Sequence, residues 1–208
     1  MTAREQTDFP LPTDLPRPVD DGAAKHLLGM PLPEISLPST DGKIVDLSKL
    51  SAPRTVLYFY PMTGVPGKPL PDGWDSIPGA RGCTPQTCGF RDHLQELADL
   101  KTDVLGCSTQ STAYQREMAD RLGLRFAILS DAEYKLCDAL RLPTFEVDGA
   151  RLLKRLTLII ETGQGGQGGR IEHVFYPVFP PNENAAEVVK WLRSHPIAQT
   201  KARPDSIR

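Results

Sequence analysis

The chain has 208 residues, 39% hydrophobic and 24% charged, and a formal net charge of -2 at pH 7. That is a globular balance, with no basic field to recruit nucleic acid and no apolar run near the ~18–20 residues of a membrane span. Glycine and proline together number 37, about 18% against a usual ~12%, and position decides what the excess means. Nine fall in residues 1–38, ten in 61–82, five in 163–169 and three in 176–181, leaving most of the chain free for helices and strands.

In chain order, residues 1–27 carry Pro10, Pro12, Pro16 and Pro18 with little apolar periodicity and read as an extended, poorly ordered arm. Residues 35–37 and 43–47 alternate about Asp41-Gly42, a hairpin signal. Residues 55–60 are a near-continuous apolar run ended by Pro61, which suits a central strand covered on both faces. Phe90, Leu94 and Leu97 then set a helical period, predicting one helix over 85–100 with Pro85 in its first turn. A second strand is expected at 103–108. Ser111 or Thr112 caps a helix bearing Tyr114, Met118 and Leu122, a third strand covers 126–129, and a short helix covers 131–140. Strands at 156–160 and 171–175 are joined by the glycine-rich tip 163–169, and a helix over 185–193 closes the chain. Strands alternating with helices predict an α/β fold with helices on both faces of a mixed sheet. The expected domain runs over 28–195, between the arm and a tail at 196–208.

Two patterns imitate functional motifs. Residues 163–168 satisfy G-x-G-x-x-G, but a strand rather than a helix is expected after them, so no helix N-terminus would meet a pyrophosphate. His26, His93, His173 and His195 show no metal-ligand spacing and read as structural. Cys107 and Cys137 fall in a buried strand and a short helix, where cysteine usually acts as a small hydrophobe. With four cysteines and no apolar leader in the first eighteen residues, the thiols are expected to be reduced, catalytic or buried, in a cytoplasmic setting.

Cys83-Thr84-Pro85-Gln86-Thr87-Cys88 differs in kind. Cys83 stands where loop becomes helix, so unpaired N–H groups and the positive end of the helix dipole favour its thiolate, the nucleophilic form. No Asp or Glu occurs in 76–91, while Arg81 and Arg91 flank it. A zinc pair lacks a second pair of ligands, and the spacing is not the C-x-x-C of disulfide exchange. In an intact helix, residues five apart rise roughly 7.5 Å and point about 140° apart. A disulfide needs Cα atoms within about 7 Å and converging Cβ vectors. Pairing of Cys83 with Cys88 would therefore require the first turn to unwind.

The run Val56-Leu57-Tyr58-Phe59-Tyr60-Pro61, with Gly82-Cys83-Thr84-Pro85-Gln86-Thr87-Cys88-Gly89-Phe90-Arg91-Asp92, resembles the peroxiredoxins of the bacterioferritin-comigratory and peroxiredoxin Q branch. Residues 103–109, 129–131 and 154–159 are similar to the same branch, and the likeness extends over roughly 28–193. The resemblance implies a thioredoxin-like fold and a thiol peroxidase with no cofactor and no metal. Its substrates would be hydrogen peroxide and small organic hydroperoxides, and its reductant thioredoxin or a glutaredoxin-like dithiol. It implies Cys83 as the peroxidatic cysteine, Cys88 as the resolving one and Arg155 as the active-site arginine. A monomer is the default, with a dimer as alternative. A redox sensor or disulfide carrier on the same fold is the competing reading.

The chain departs from that branch's P-x-x-x-[T/S]-x-x-C pattern. Pro61 and Thr63 are followed by an insertion, 64–79, and the position three before Cys83 is Ala80, which has no hydroxyl. Thr63 is the favoured substitute, with Ser76 and Thr84 as alternatives. The insertion, too rich in proline and glycine for a helix or central strand, is expected to fold by the pocket with Trp74 as its anchor. It acts there as a gate, or as a spacer with no role in substrate choice.

Overall fold

A computed structural model describes residues 11–163, 166 and 168–197. The chain runs β1 (Ser36–Pro38), β2 (Ile44–Asp46), β3 (Arg54–Phe59), α1 (Cys83–Asp92), α2 (Leu94–Asp99), β4 (Thr102–Ser108) and α3 (Thr112–Leu122). It continues through β5 (Ile128–Ser130), α4 (Lys135–Leu140), β6 (Thr144–Val147), β7 (Ala150–Leu153), β8 (Leu156–Thr162), β9 (Gly169–Phe175) and α5 (Asn184–Ser194). Five strands form one mixed sheet in the order β5-β4-β3-β8-β9, parallel from β5 to β3 and antiparallel beyond. β1 and β2 form a separate hairpin, with Gly42 at φ +83° in its turn.

All six residues of β3 are buried, and the reason is visible in their alternation. Val56 and Tyr58 point into a core shared with Phe90, Met118 and Val188, from α1, α3 and α5. Leu57 and Phe59 point the other way, into a core closed by Leu37 and Leu47 of the hairpin segment and Leu136 of α4. After the buried Arg54 and Thr55 that open it, the strand is apolar from Val56 to Phe59, so period-two alternation of side chains survives there while alternation of polarity does not. Three of the histidines make packing or hydrogen-bond contacts: His26 bonds the Leu140 carbonyl at 2.9 Å, and His173 and His195 each stack on Trp191.

Three expectations need correcting. The single helix over 85–100 is two, α1 and α2, parted at His93, whose φ of -91° and ψ of 5° leave the helical region. His93 N–H still donates to Gly89 O, and Leu97 N–H to His93 O, so the apolar spacing continues across the break. The helix expected over 131–140 begins only at Lys135, because Tyr134 adopts a left-handed φ of 58° and the Asp131 carboxylate takes the Leu136 and Cys137 N–H groups at 3.0 and 2.8 Å. The β6–β7 hairpin about Asp148-Gly149 was not anticipated at all.

That hairpin has a specific tenant. Trp74, 3% exposed within a short 3-10 turn (Trp74–Ser76), packs with Ala80, Leu152 and Phe145. The inserted loop thus has its own small apolar core. At the glycine-rich tip, Gly163 N–H bonds Gly168 O and strand β9 follows, so no helix N-terminus stands behind the G-x-G-x-x-G spacing. Residues 1–10 of the arm and nearly all of the tail lie outside the described residues. Among the described residues, no helix is long and apolar enough to cross a membrane.

Candidate functional site

The antiparallel register of β3 on β8 pairs Phe59 with Leu156. Arg155, one residue before β8, therefore stands beside the end of β3, where buried Pro61 turns the chain into the insertion. The insertion returns through Gly79, Ala80 and Arg81 to the first residue of α1, Cys83. Residues 72 positions apart in sequence meet here: Arg155 Nη2 donates to Cys83 Sγ at 3.1 Å.

Arg155 is 2% exposed and saturated. Its Nε donates to Gly79 O at 3.3 Å, and Nη2 also to Ala80 O at 3.0 Å and Arg81 O at 3.2 Å. Nη1 donates to Gln86 Oε1. Gln86 in turn donates through Nε2 to Asn184 Oδ1 at 3.0 Å, which also accepts from Thr157 Oγ1 at 2.8 Å. A planar five-donor fork held by five acceptors has essentially one orientation. The charge is thereby fixed against the sulfur.

Gly82 is the N-cap of α1, at φ 105° and ψ 20°, and no side chain caps the helix. Gln86 N–H is satisfied by Gly82 O, and Pro85 has no N–H, so Cys83 and Thr84 carry the first-turn donors left over. The sulfur thus stands at an uncapped helix start, accepting from the Arg155 guanidinium at 3.1 Å and lying 3.6 Å from the Ala80 carbonyl oxygen, to which its S–H can donate. Arg81 and Arg91 do not contribute as the sequence suggested. Arg81 pairs with Asp75 at 3.0 Å, and Arg91 with Asp92 at 2.9 Å and the Leu122 carbonyl at 3.2 Å.

Cys83 lies at the wall of an open cavity of about 440 Å³ that Thr63 and Thr84 also line; Ser76 does not. Thr63 is 1% exposed and held on both sides by one residue, Gln110. Gln110 Oε1 accepts from Thr63 N at 2.9 Å and from its Oγ1 at 3.2 Å, while Gln110 Nε2 donates to Thr63 O at 3.0 Å. Cys88 sits one and a half turns along α1, buried in the core with Tyr58, Met118 and Leu122. Burial pushes its thiol above the ordinary cysteine range, partly opposed by Arg91. Burial likewise pushes up Cys107 and Cys137, the latter to about 11. All four cysteines are free.

Gln86, Asn184 and Gln110 were missed in the sequence. For Gln86 a signal existed: a glutamine one turn into an amphipathic helix, on its buried side, beside Cys83. Asn184 and Gln110 carry no local mark, because their importance comes from what β8 and the insertion bring to them.

Comparison with known proteins agrees with this arrangement. The Redoxin family profile matches residues 27–189. Peroxiredoxin Bcp of Escherichia coli K12 is 31% identical over 171 residues, covering 78% of this chain and 93% of that protein. Chloroplastic peroxiredoxin Q of Oryza sativa subsp. japonica is 28% identical, covering 80% of this chain and 66% of that protein. Among solved structures, peroxidoxin BcpB of Mycobacterium tuberculosis superposes with a TM-score of 0.64 at 25% identity, covering 80% of this chain and 96% of that one. The mixed sheet and its helices are therefore the thioredoxin-like arrangement of these proteins. The chain belongs to the Redoxin family and, within it, to the peroxiredoxins, which are thiol peroxidases.

Proposed function

We propose that Cys83 reduces hydrogen peroxide and organic hydroperoxides, that Cys88 resolves the product, and that thioredoxin or a similar dithiol protein restores the thiols. The observation that carries this reading is the guanidinium of Arg155 donating to Cys83 Sγ beside an open cavity. The Cys83 thiolate attacks the nearer peroxide oxygen, the S–O bond forms as the O–O bond breaks, and the departing alkoxide or hydroxide takes a proton. Arg155 stabilises charge as it moves from sulfur to the leaving oxygen. Pro61 closes β3 rigidly behind the site, and Thr63, donating to Gln110, keeps its lone pairs free to accept the hydroperoxide O–H.

The Cys83 sulfenic acid is then attacked by Cys88; an S–S bond forms and water leaves. Both residues lie in α1, so the first turn must open before they meet. Opening has a second effect. It takes Cys88 out of the core that holds its thiol protonated, and so activates it only once the geometry permits attack. Amides of residues 83–90 are expected to lose hydrogen-exchange protection on oxidation. Equal protection in reduced and oxidised protein would overturn the unwinding step.

The direct test is peroxide-dependent oxidation of thioredoxin. The wild type should turn over and Cys83→Ser should not, while Cys88→Ser should consume one equivalent of peroxide and stall with thioredoxin. In the same assay Thr63→Val should slow peroxide reduction roughly tenfold, the effect of about one lost hydrogen bond. A wild type that consumes no peroxide sinks the enzyme reading. A disulfide mapped to Cys107 or Cys137 would reassign the resolving role.

A further inference from the structure

The cavity at Cys83 is much larger than hydrogen peroxide requires. At about 440 Å³ it exceeds tenfold the ~30 Å³ that a water molecule occupies in the liquid. Its lining is mixed in chemistry: Cys83, Thr63 and Thr84 are polar, Lys68, Arg81 and Arg121 are cationic, and Val65, Leu70 and Trp74 of the insertion are apolar. One further wall comes from elsewhere in the chain: Leu11, in the arm.

Leu11 is not there by the accident of a loose terminus. Its Cδ2 lies 3.1 Å from the position a Cβ would take on Gly82, the N-cap of the catalytic helix. The segment leading from it is pinned at successive points. Pro18 packs over Gly79, at 3.4 Å from that residue's Cβ position, and the Arg17 guanidinium lies 5.5 Å above the Phe179 ring. The Asp21 carboxylate accepts from Lys154 at 2.6 Å and from Tyr176 at 2.8 Å. The Redoxin match covers residues 27–189, so Leu11 lies outside the matched segment.

We propose that Leu11 is a specificity-determining residue of the peroxide site. With Val65, Leu70 and Trp74 it receives the organic substituent of a bulky apolar hydroperoxide, so the arm and the insertion together tune the enzyme towards such substrates. The inference rests on the peroxidase reading above and adds to it the residue that distinguishes one hydroperoxide from another. Burying a hydrocarbon group against these walls stabilises the bound organic hydroperoxide, and hydrogen peroxide, which has no such group, gains nothing from them.

The test compares kcat/KM for cumene hydroperoxide and for hydrogen peroxide in the full-length wild type, Leu11→Ala and Leu11→Met. Leu11→Ala should lower the cumene hydroperoxide value roughly tenfold, mainly through KM, with the hydrogen peroxide value within about twofold of wild type. Leu11→Met should restore most of the loss, since it refills the wall with a side chain of similar volume. An equal fall for both peroxides would make Leu11 merely structural and overturn the inference, as would no change for either. A wild type inactive on both peroxides would instead overturn the peroxidase reading itself.

Discussion

Arg155→Ala is expected to slow oxidation of Cys83 by peroxide by roughly 10²–10³-fold, the usual effect of deleting a preorganised charge-stabilising donor. The side chain does two things at once. It donates to Cys83 Sγ at 3.1 Å, and it ties the carbonyls of Gly79, Ala80 and Arg81 to the start of α1. Its removal should therefore also cost on the order of 3 kcal/mol of stability, because several buried or part-buried acceptors lose their donor together. Arg155→Lys separates the two contributions. An ammonium keeps the charge but cannot satisfy a fork of five acceptors, so stability and rate should fall between those of wild type and alanine. The measurement is stopped-flow oxidation of Cys83 beside its alkylation by iodoacetamide at pH 7. Both should slow in Arg155→Ala, the peroxide reaction more, because only that reaction also develops charge on a leaving oxygen. Wild-type rates in the alanine variant would remove Arg155 from the chemistry.

Gly82→Ala should destabilise the protein by about 2–6 kcal/mol and disable the site with it. Two costs combine. At φ 105° an L side chain is strained, by about 1–3 kcal/mol, and the new Cβ would lie 2.3 Å from Pro181 Cγ. Pro181 is part of the turn packed on α1, so either that turn or α1 must move, adding the ~1–3 kcal/mol typical of overpacking. Gly123→Ala is the matched control. It ends α3 at φ 61° with nothing within 4 Å of its Cβ position, so it reports the backbone cost without the collision. Denaturation midpoints of the two variants give the difference directly. A Gly82→Ala protein no less stable than Gly123→Ala would mean that the Pro181 contact yields freely.

Much of this molecule was legible in its sequence, for physical reasons that also explain the failures. β3 was legible because its doubly covered stretch from Val56 to Phe59 is apolar without a break, and the start of α3 was legible because Ser111 or Thr112 precedes the first apolar positions; it is Ser111 that accepts from Tyr114 N–H. The break between α1 and α2 was hidden because one residue rotated out of the helical region preserves the spacing of Phe90, Leu94 and Leu97. The β6–β7 hairpin carried an Asp148-Gly149 turn signal, yet its strands are only four residues each and half exposed, too short for a convincing alternation. Cys83 could be singled out by its helix start. By contrast, three of Arg155's partners could not be read, since they are main-chain carbonyls that carry no residue identity. Leu11 was invisible for the opposite reason: an isolated leucine in a Pro-rich segment looks like any unstructured terminus until the cavity it lines is in view.

The clasp of Arg155 on three consecutive carbonyls has an implication for how such a chain can vary. The stretch between Thr63 and Gly79 is fastened at its near end by Gln110 and at its far end by the guanidinium, both through main-chain groups. Neither fastening depends on the length or composition of what lies between. The segment is in effect a cassette: it can be shortened, lengthened or exchanged to reshape the cavity while the sulfur, the cation and the threonine hydroxyl keep their mutual positions.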